Sequence, residues 1–380
     1  MKTRILALTL AVLLLLPGCS AMLNRDYQVV YPHPELPSTE EDSSVIRVET
    51  HQQLVNAVLY FVEQSVEHGV VRLVNYAQDV EADLNRACLE VAKDDPLGAY
   101  AVDFIKHDYT RVVATYEANI YITYRRTAEQ MRALVNVTGS SAIREELREA
   151  LETFSPEVAL RVAYFAEDED YICSLVRQAY YDTPAAAMGM PEFTVSLYPD
   201  EGSQRIVEIV LTYPEEQTAL LQKQSDTLAA AQQLTGPYVG LSDPQERLTA
   251  LLSTLPVSLS PVAGPGPSTA WDALVGGAAD DEGLALALHL LCDLIDVDCT
   301  VTEGTLHGEP HFWNTLTAGT YEYRHIDLSG ENPSQICSDA EMAEQGYIWP
   351  GGETADAPGT AGEPTADIYA DSESPNYLLD

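Results

Sequence analysis

Residues 269–287 read Thr-Ala-Trp-Asp-Ala-Leu-Val-Gly-Gly-Ala-Ala-Asp-Asp-Glu-Gly-Leu-Ala-Leu-Ala, and they contain the main evidence for the fold class. Two consecutive glycines divide this segment, and three acidic residues at 280–282 come before an apolar run. Because carboxylates stabilise the positive end of a helix dipole, this order predicts a helix that runs to about Ile295. Strand-like segments follow at 297–304, 311–314 and 323–327. A helix followed by several strands indicates an α+β domain.

The polar residues of the last two segments occur in an informative order. Residues 311–314 read His-Phe-Trp-Asn, and residues 323–327 read Tyr-Arg-His-Ile-Asp. Over roughly residues 268–350 the chain resembles the transglutaminase-like superfamily of papain-type cysteine enzymes. In that family a cysteine opens a core helix, a histidine follows on a strand, and an aspartate closes the next strand. The resemblance implies a papain-like α+β domain with His311 and Asp327 at the histidine and aspartate positions.

The chain departs from that family at the nucleophile, because Asp281 stands where the cysteine belongs. A thiol at a helix N-terminus beside an imidazolium loses its proton readily, and an aspartate orients the imidazole ring. Cys292 cannot replace that thiol, since it lies about three turns further along the predicted helix. A carboxylate is a weak nucleophile towards an amide. Two carboxylates facing His311 would also raise its pKa and make it a poor general base.

The domain is therefore predicted to be non-catalytic, with Asp281, His311 and Asp327 as the positions of a vestigial triad. Three other interpretations stay open, one of which is that the whole chain is a structural partner in a larger envelope assembly, with an inert cleft. The acidic residues at 280–282 could simply complement the helix dipole. Alternatively, the inherited cleft could belong to a hydrolase or transferase of altered chemistry that uses Asp281 and His311.

Two residues next to His311 are candidates for the ligand-binding cleft. Trp313 could stack on a ligand or fill core space beside the histidine, and Asn314 follows it on the same strand. Residues 307–311 (His-Gly-Glu-Pro-His) suggest a metal-ligand set, but glycine and proline make this stretch a turn rather than a helical HExxH motif. The sequence has no CxxC pair. We predict neither a metal nor a cofactor.

The middle of the chain contains a repeat. A Thr-Tyr pair ends a strand-like segment at residues 123–124 and again at 212–213, and each segment follows a β-like run, an acidic turn and a helix. We predict two βαββα repeat units, with one further helix before the first unit and one between the two. The units show no nucleophile–base pairing and no phosphate loop, so they are interpreted as a scaffold or binding surface. The predicted fold class is α+β, two βαββα units followed by a transglutaminase-like domain.

The N-terminus carries an export signal. Lys2 and Arg4 precede an apolar run that is too short to span a bilayer, and residues 16–19 (Leu-Pro-Gly-Cys) resemble a bacterial lipobox. Cys19 is therefore the predicted lipidation site, and the lipid would anchor the protein to the outer face of a membrane in the bacterial envelope. The alternative is ordinary secretion, with Cys19 as a spare thiol. The other five cysteines, an odd number without paired spacing, indicate no disulfide framework.

The charge balance restricts the partners. The 380 residues contain 20 Lys and Arg against 59 Asp and Glu, giving a net charge of −39, which would repel phosphate backbones. Nucleic acid is excluded, and a peptide, protein or cell-wall ligand is predicted. The predicted organisation is a signal peptide (1–18), a flexible tether (19–43), an α+β repeat body (44–235), a transglutaminase-like domain (242–350) and a disordered acidic tail (351–380).

Overall fold

A computed structural model describes residues 45–255, 259–264, 266–318 and 322–350. The predicted signal peptide, tether and acidic tail lie outside these described residues. The described chain is an α+β protein with three four-stranded sheets and one pair of two-residue strands. The predicted fold class is therefore confirmed.

The first repeat forms a mixed sheet with strand order β1-β2-β4-β3. Strand β1 is parallel to β2, and β2 is antiparallel to β4, with Val71 facing Ala118. The elements are β1 (Val45–Val48), α1 (His51–Glu63), β2 (His68–Leu73), α2 (Val80–Lys93), α3 (Pro96–Ala101), β3 (Val102–Val112), β4 (Thr115–Tyr124) and α4 (Ala128–Arg132).

The second repeat has the same topology, with strand order β5-β6-β8-β7. Its first two strands are again parallel, and β6 is antiparallel to β8. Each repeat is longer than the predicted βαββα unit, because it begins with a short strand that was not predicted and with a helix that was predicted to lie outside the unit. The elements are β5 (Val135–Thr138), α5 (Gly139–Glu152), β6 (Glu157–Ala163), α6 (Glu169–Tyr181), β7 (Glu192–Tyr198), β8 (Gln204–Thr212) and α7 (Gln217–Thr235).

The remaining part of the chain forms an antiparallel sheet with strand order β13-β12-β11-β14, against which helix α10 packs. The elements are α8 (Pro244–Leu252), β9 (Ser260–Pro261), α9 (Ala270–Leu274), β10 (Ala278–Ala279), α10 (Asp281–Asp293), β11 (Cys299–Leu306), β12 (Glu309–Ala318), β13 (Glu322–Ile326), α11 (Asp339–Glu344) and β14 (Tyr347–Ile348).

Helix α10 is the central helix of this region, and its start is fixed by two residues. The side chain of Asp280 caps it by accepting a hydrogen bond from the backbone N–H of Gly283 at 3.1 Å. A Cβ at position 283 would lie 2.7 Å from the Cβ of Ala279 and 3.0 Å from the backbone of Ser268, so only glycine fits. Every residue from Gly283 to Cys292 is buried, as expected for a helix that is apolar on all sides.

The chain divides into two compact units. Of the described residues, one unit contains those up to Val91 together with Phe104–Thr123, and the other contains Ala92–Asp103 and those from Tyr124 onwards. Within the second unit a single cluster of buried apolar residues runs from Val137 to Leu328. The second repeat and the region around α10 therefore share a core. The boundaries predicted from the sequence, 44–235 and 242–350, remain predictions. None of the described helices combines the length and the apolar character needed to cross a bilayer.

Candidate functional site

Asp281, His311 and Asp327 lie together at one end of the antiparallel sheet. Asp281 is the first residue of α10, His311 lies near the start of β12, and Asp327 directly follows β13. Strand β13 ends opposite Asn314, so the chain leaves the sheet beside the part of β12 that carries His311. The Nδ1 atom of His311 is 2.8 Å from Oδ2 of Asp281, and its Nε2 atom is 2.7 Å from Oδ2 of Asp327.

Both ring nitrogens of His311 thus face a carboxylate, which favours the doubly protonated imidazolium. Burial alone would lower the pKa of His311, but the hydrogen bonds to Asp281 and Asp327 outweigh it and raise the pKa to about 9. Burial acts in the opposite direction on the pKa of each aspartate, and the hydrogen bond with His311 more than compensates, so both pKa values are lowered. At neutral pH the three residues carry two negative charges and one positive charge.

Asp327 is held in place by further donors. Its Oδ2 atom also accepts a hydrogen bond from the hydroxyl of Tyr347 at 2.7 Å. Its Oδ1 atom accepts from the backbone N–H of Ser329 at 2.8 Å and from the Ser329 hydroxyl at 2.6 Å. The side chain of Asp327 is only 7% exposed. This set of donors fixes the carboxylate and, through it, the orientation of the His311 ring.

Asp281 is the most accessible member of the triad, with 24% of its side chain exposed. Besides its contact with His311, its Oδ2 atom accepts the backbone N–H of Phe312 at 2.9 Å. Because β13 ends at Ile326, opposite Asn314, no residue of β13 faces Phe312, and the carboxylate of Asp281 satisfies this donor instead. Asp281 therefore makes the ring contact expected of a thiolate at this position and also closes the edge of β12.

Glu282 also belongs to the site, although the sequence pattern did not mark it as a functional residue. Its Oε1 atom accepts a hydrogen bond from the hydroxyl of Tyr181 at 3.1 Å, and the Tyr181 ring lies 5.8 Å from the ring of Phe312. Burial and the neighbouring charges of Asp280 and Asp281 raise the pKa of Glu282 to about 7, although the bond from Tyr181 opposes this change. Tyr181 belongs to the second repeat, so local sequence patterns could not have paired it with Glu282.

The two residues predicted to line the cleft, Trp313 and Asn314, are each only 1% exposed. The indole Nε1 of Trp313 donates to Nδ1 of His325 at 3.1 Å. The amide Nδ2 of Asn314 donates to the carbonyl of Ala285 at 2.9 Å and so joins β12 to α10. In this conformation both residues support the site from inside the core and offer no surface to a ligand.

Among the described residues, the other histidines and cysteines form none of the ion pairs of the triad. The Nε2 atom of His325 is 3.0 Å from Oδ1 of Asp339, and burial, partly opposed by Asp339, lowers the His325 pKa. His307 occupies the turn between β11 and β12. Cys292 is fully buried in the last turn of α10. In the part of the chain that the structure describes, no group of three or more His, Cys, Asp or Glu residues is arranged to hold a metal ion.

Two solved structures are similar to this chain. One is a TGase crystal structure, with 11% identity and a TM-score of 0.25, covering 56% of this chain and 61% of that one. The other is a proposed protease from Parabacteroides distasonis, with 10% identity and a TM-score of 0.19, covering 69% of this chain and 43% of that one. The chain thus spans less than two thirds of either structure. No protein-family profile and no curated protein sequence matches it. Within the described residues the sheets and helices form an α+β fold, in which an aspartate, a histidine and a second aspartate make up the candidate site.

Proposed function

We propose that this protein is a lipid-anchored, non-catalytic member of the transglutaminase-like fold that binds or scaffolds a peptide, a protein or cell-wall material at the outer face of a bacterial membrane. The observation that carries the proposal is the engagement of both ring nitrogens of His311 by carboxylates, at 2.8 and 2.7 Å. The lipid anchor rests on the sequence of residues 16–19.

The geometry argues against acyl transfer. A general base must offer a free nitrogen lone pair to the proton that it removes, whereas a pKa of about 9 keeps His311 protonated at neutral pH. Asp281 offers carboxylate oxygens where the family offers sulfur, and its lowered pKa makes these oxygens still weaker nucleophiles. Neither step of thiol-type catalysis is therefore available to this triad.

The same charges favour the binding of a cationic group. Asp281 and Asp327 outnumber the single imidazolium, and Glu282 adds a carboxyl group that can ionise near neutral pH. The ring centroids of Tyr181 and Phe312 lie 5.8 Å apart, and these two residues adjoin the acidic groups, because the Tyr181 hydroxyl donates to Glu282 and the Phe312 N–H donates to Asp281. Carboxylates next to aromatic rings suit a ligand with an amino or guanidino group.

A hydrolase of altered chemistry is the second candidate. The pKa of Asp281 is lowered, whereas the pKa of the adjacent Glu282 is raised to about 7. Neighbouring carboxyl groups with separated pKa values are the usual arrangement for a general base and a general acid. In this candidate Asp281 and His311 act as an acid–base pair in the inherited cleft. Such a pair predicts a bell-shaped pH–rate profile.

A turnover assay distinguishes the two candidates. Purified full-length protein would be incubated with peptide amides, amine donors and cell-wall fragments, alongside D281N and H311Q, with D293N at the other end of α10 as the matched control. We expect no turnover by any of the four proteins. Turnover by the wild type and D293N that is lost in D281N would refute the non-catalytic proposal and support the hydrolase.

A binding assay tests the scaffold role directly. The wild type, D281N and D293N would be used to capture cell-wall fragments and envelope peptides. We expect capture by the wild type and D293N and weaker capture by D281N. Equal capture by all three proteins would mean that the repeat surface, and not the triad, makes the contact.

A further inference from the structure

Strand β3 lies at an edge of the first sheet, where β4 alone pairs with it among the described strands. From Asp103 to Val112 every side chain is exposed or half-buried, including those of Phe104 at 41% and Val112 at 46%. An edge strand directs every second backbone N–H and C=O away from its sheet. It therefore offers a template on which a further strand can pair.

The charged residues of β3 are ordered symmetrically about His107. Lys106 and Asp108 stand one position before and after it, and Asp103 and Arg111 stand four positions before and after it. In an antiparallel pair of identical strands centred on His107, each residue faces the residue at the same separation on the other side of the centre. Asp103 then faces Arg111 of the second copy, and Lys106 faces Asp108.

Charges on an edge strand usually prevent pairing, because like charges opposite each other are destabilising. The order of charges in β3 instead favours pairing with an identical strand, because each of these four residues faces a residue of opposite charge. The same register places Ile105 opposite Tyr109, an aliphatic–aromatic pair of the kind that stabilises adjacent strands. Asp108 is already oriented within its own sheet, because the Asn119 amide donates to its Oδ1 atom at 2.7 Å.

We propose that the protein forms a homodimer in which the β3 strands of two copies pair antiparallel about His107. The pairing joins two four-stranded sheets into one continuous sheet across a two-fold axis. The partner is a second copy of this chain, recognised by its reversed charge order. The dimer uses none of the residues of the candidate site, so it stands or falls independently of the proposed function.

Cysteine cross-linking tests the axis. In the dimer the two residues at position 107 face each other with Cα atoms about 4.5–5.5 Å apart, within the range of a disulfide. Thr110 instead faces Phe104, and the two copies of Thr110 lie about 20 Å apart along the strands. The full chain carrying H107C or the matched control T110C would be oxidised in detergent solution. We expect a disulfide-linked dimer of H107C at a yield at least tenfold above that of T110C. Equal yields, or no dimer of H107C, would overturn the proposal.

Charge reversal tests the register with variants whose folding is checked by circular dichroism. K106D and D108K each place like charges opposite each other, and the double variant K106D/D108K restores opposite charges in reversed order. We expect each single variant to weaken the dimer at least fivefold in sedimentation experiments, and the double variant to regain most of the loss. A double variant as weak as the two singles combined would show that these residues do not face each other.

Discussion

Asp281, at the first residue of α10, brings its carboxylate to 2.8 Å from the ring of His311. The site also contains a helix N-terminus, an imidazole and an aspartate on the far side of the ring, which are the groups that thiol chemistry uses around a cysteine. Residue 281 supplies a carboxylate and not a thiol. The chemical capacity of the site can therefore be tested by changing that residue alone.

We predict that D281C restores a reactive thiol. A cysteine at a helix N-terminus beside an imidazolium is expected to have a pKa well below about 8.5. The rate of alkylation by iodoacetamide at pH 6, located by peptide mass spectrometry, should be at least tenfold higher at position 281 of D281C than in the control D281C/H311Q. Equal rates in the two variants would mean that His311 does not act on this position.

The pKa of His311 predicts a dependence of stability on pH. The pKa of His311 rises from its ordinary value of 6.5 to about 9 in the folded protein, so the protonated ring stabilises the fold fully below pH 6.5. This stabilisation is lost as the pH rises to 9. The side chain is 15% exposed, so the full effect is about 3 kcal/mol. Urea unfolding of the wild type and H311Q should differ most at pH 6 and converge by pH 9. A difference in unfolding free energy between the two proteins that does not change with pH would contradict the ion pairs of His311 with Asp281 and Asp327.

Among the helices and strands, the long, strongly patterned segments could be predicted from the sequence, whereas the short ones could not. Helix α10 and strands β12 and β13 lie where apolar periodicity and the His-Phe-Trp-Asn motif indicated. Strands β1 and β5 were missed because each has only four residues, too few to show alternation. The contribution of Tyr181 could not be predicted either, because it depends on packing between elements far apart in the chain.

Asn314 shows how packing changes the role of a motif residue. N314A should lower the free energy of unfolding by about 1–3 kcal/mol, because it removes the donor that joins β12 to α10. T317A, at an exposed position on the same strand, is the matched control and should change stability by less than about 0.5 kcal/mol. Urea denaturation measures both values. Equal changes in the free energy of unfolding for N314A and T317A would show that the hydrogen bond of Asn314 between β12 and α10 does not stabilise the fold.

In the molecule as a whole, two copies of one topology precede the region that carries the site. The second copy shares a continuous core with that region. This sharing could not be predicted from composition, because it depends on packing between elements far apart in the chain. Removal of the second repeat is therefore expected to expose apolar surface of the region that carries the site.

The predicted lipid anchor concerns the attachment of the whole molecule to a membrane. We expect a fatty-acid analogue fed to cells that express the protein to label the wild type and C173S, but not C19S, because only Cys19 lies in the lipobox-like sequence. Detection of the label on the purified protein is the measurement. Labelling of C19S, or an unlabelled wild type, would contradict the lipid anchor.

Burial raises the pKa of Glu282 to about 7 against the opposing hydrogen bond from Tyr181, so this carboxyl group can exchange a proton with solvent when a ligand binds at the site. Near pH 7 the Glu282 carboxyl is divided between its acid and its anion. A guest with a positive charge would favour the anion, so its arrival would release a fraction of a proton to the buffer. The heat measured on mixing would then depend on which buffer takes up that proton, and Y181F would change the amount released.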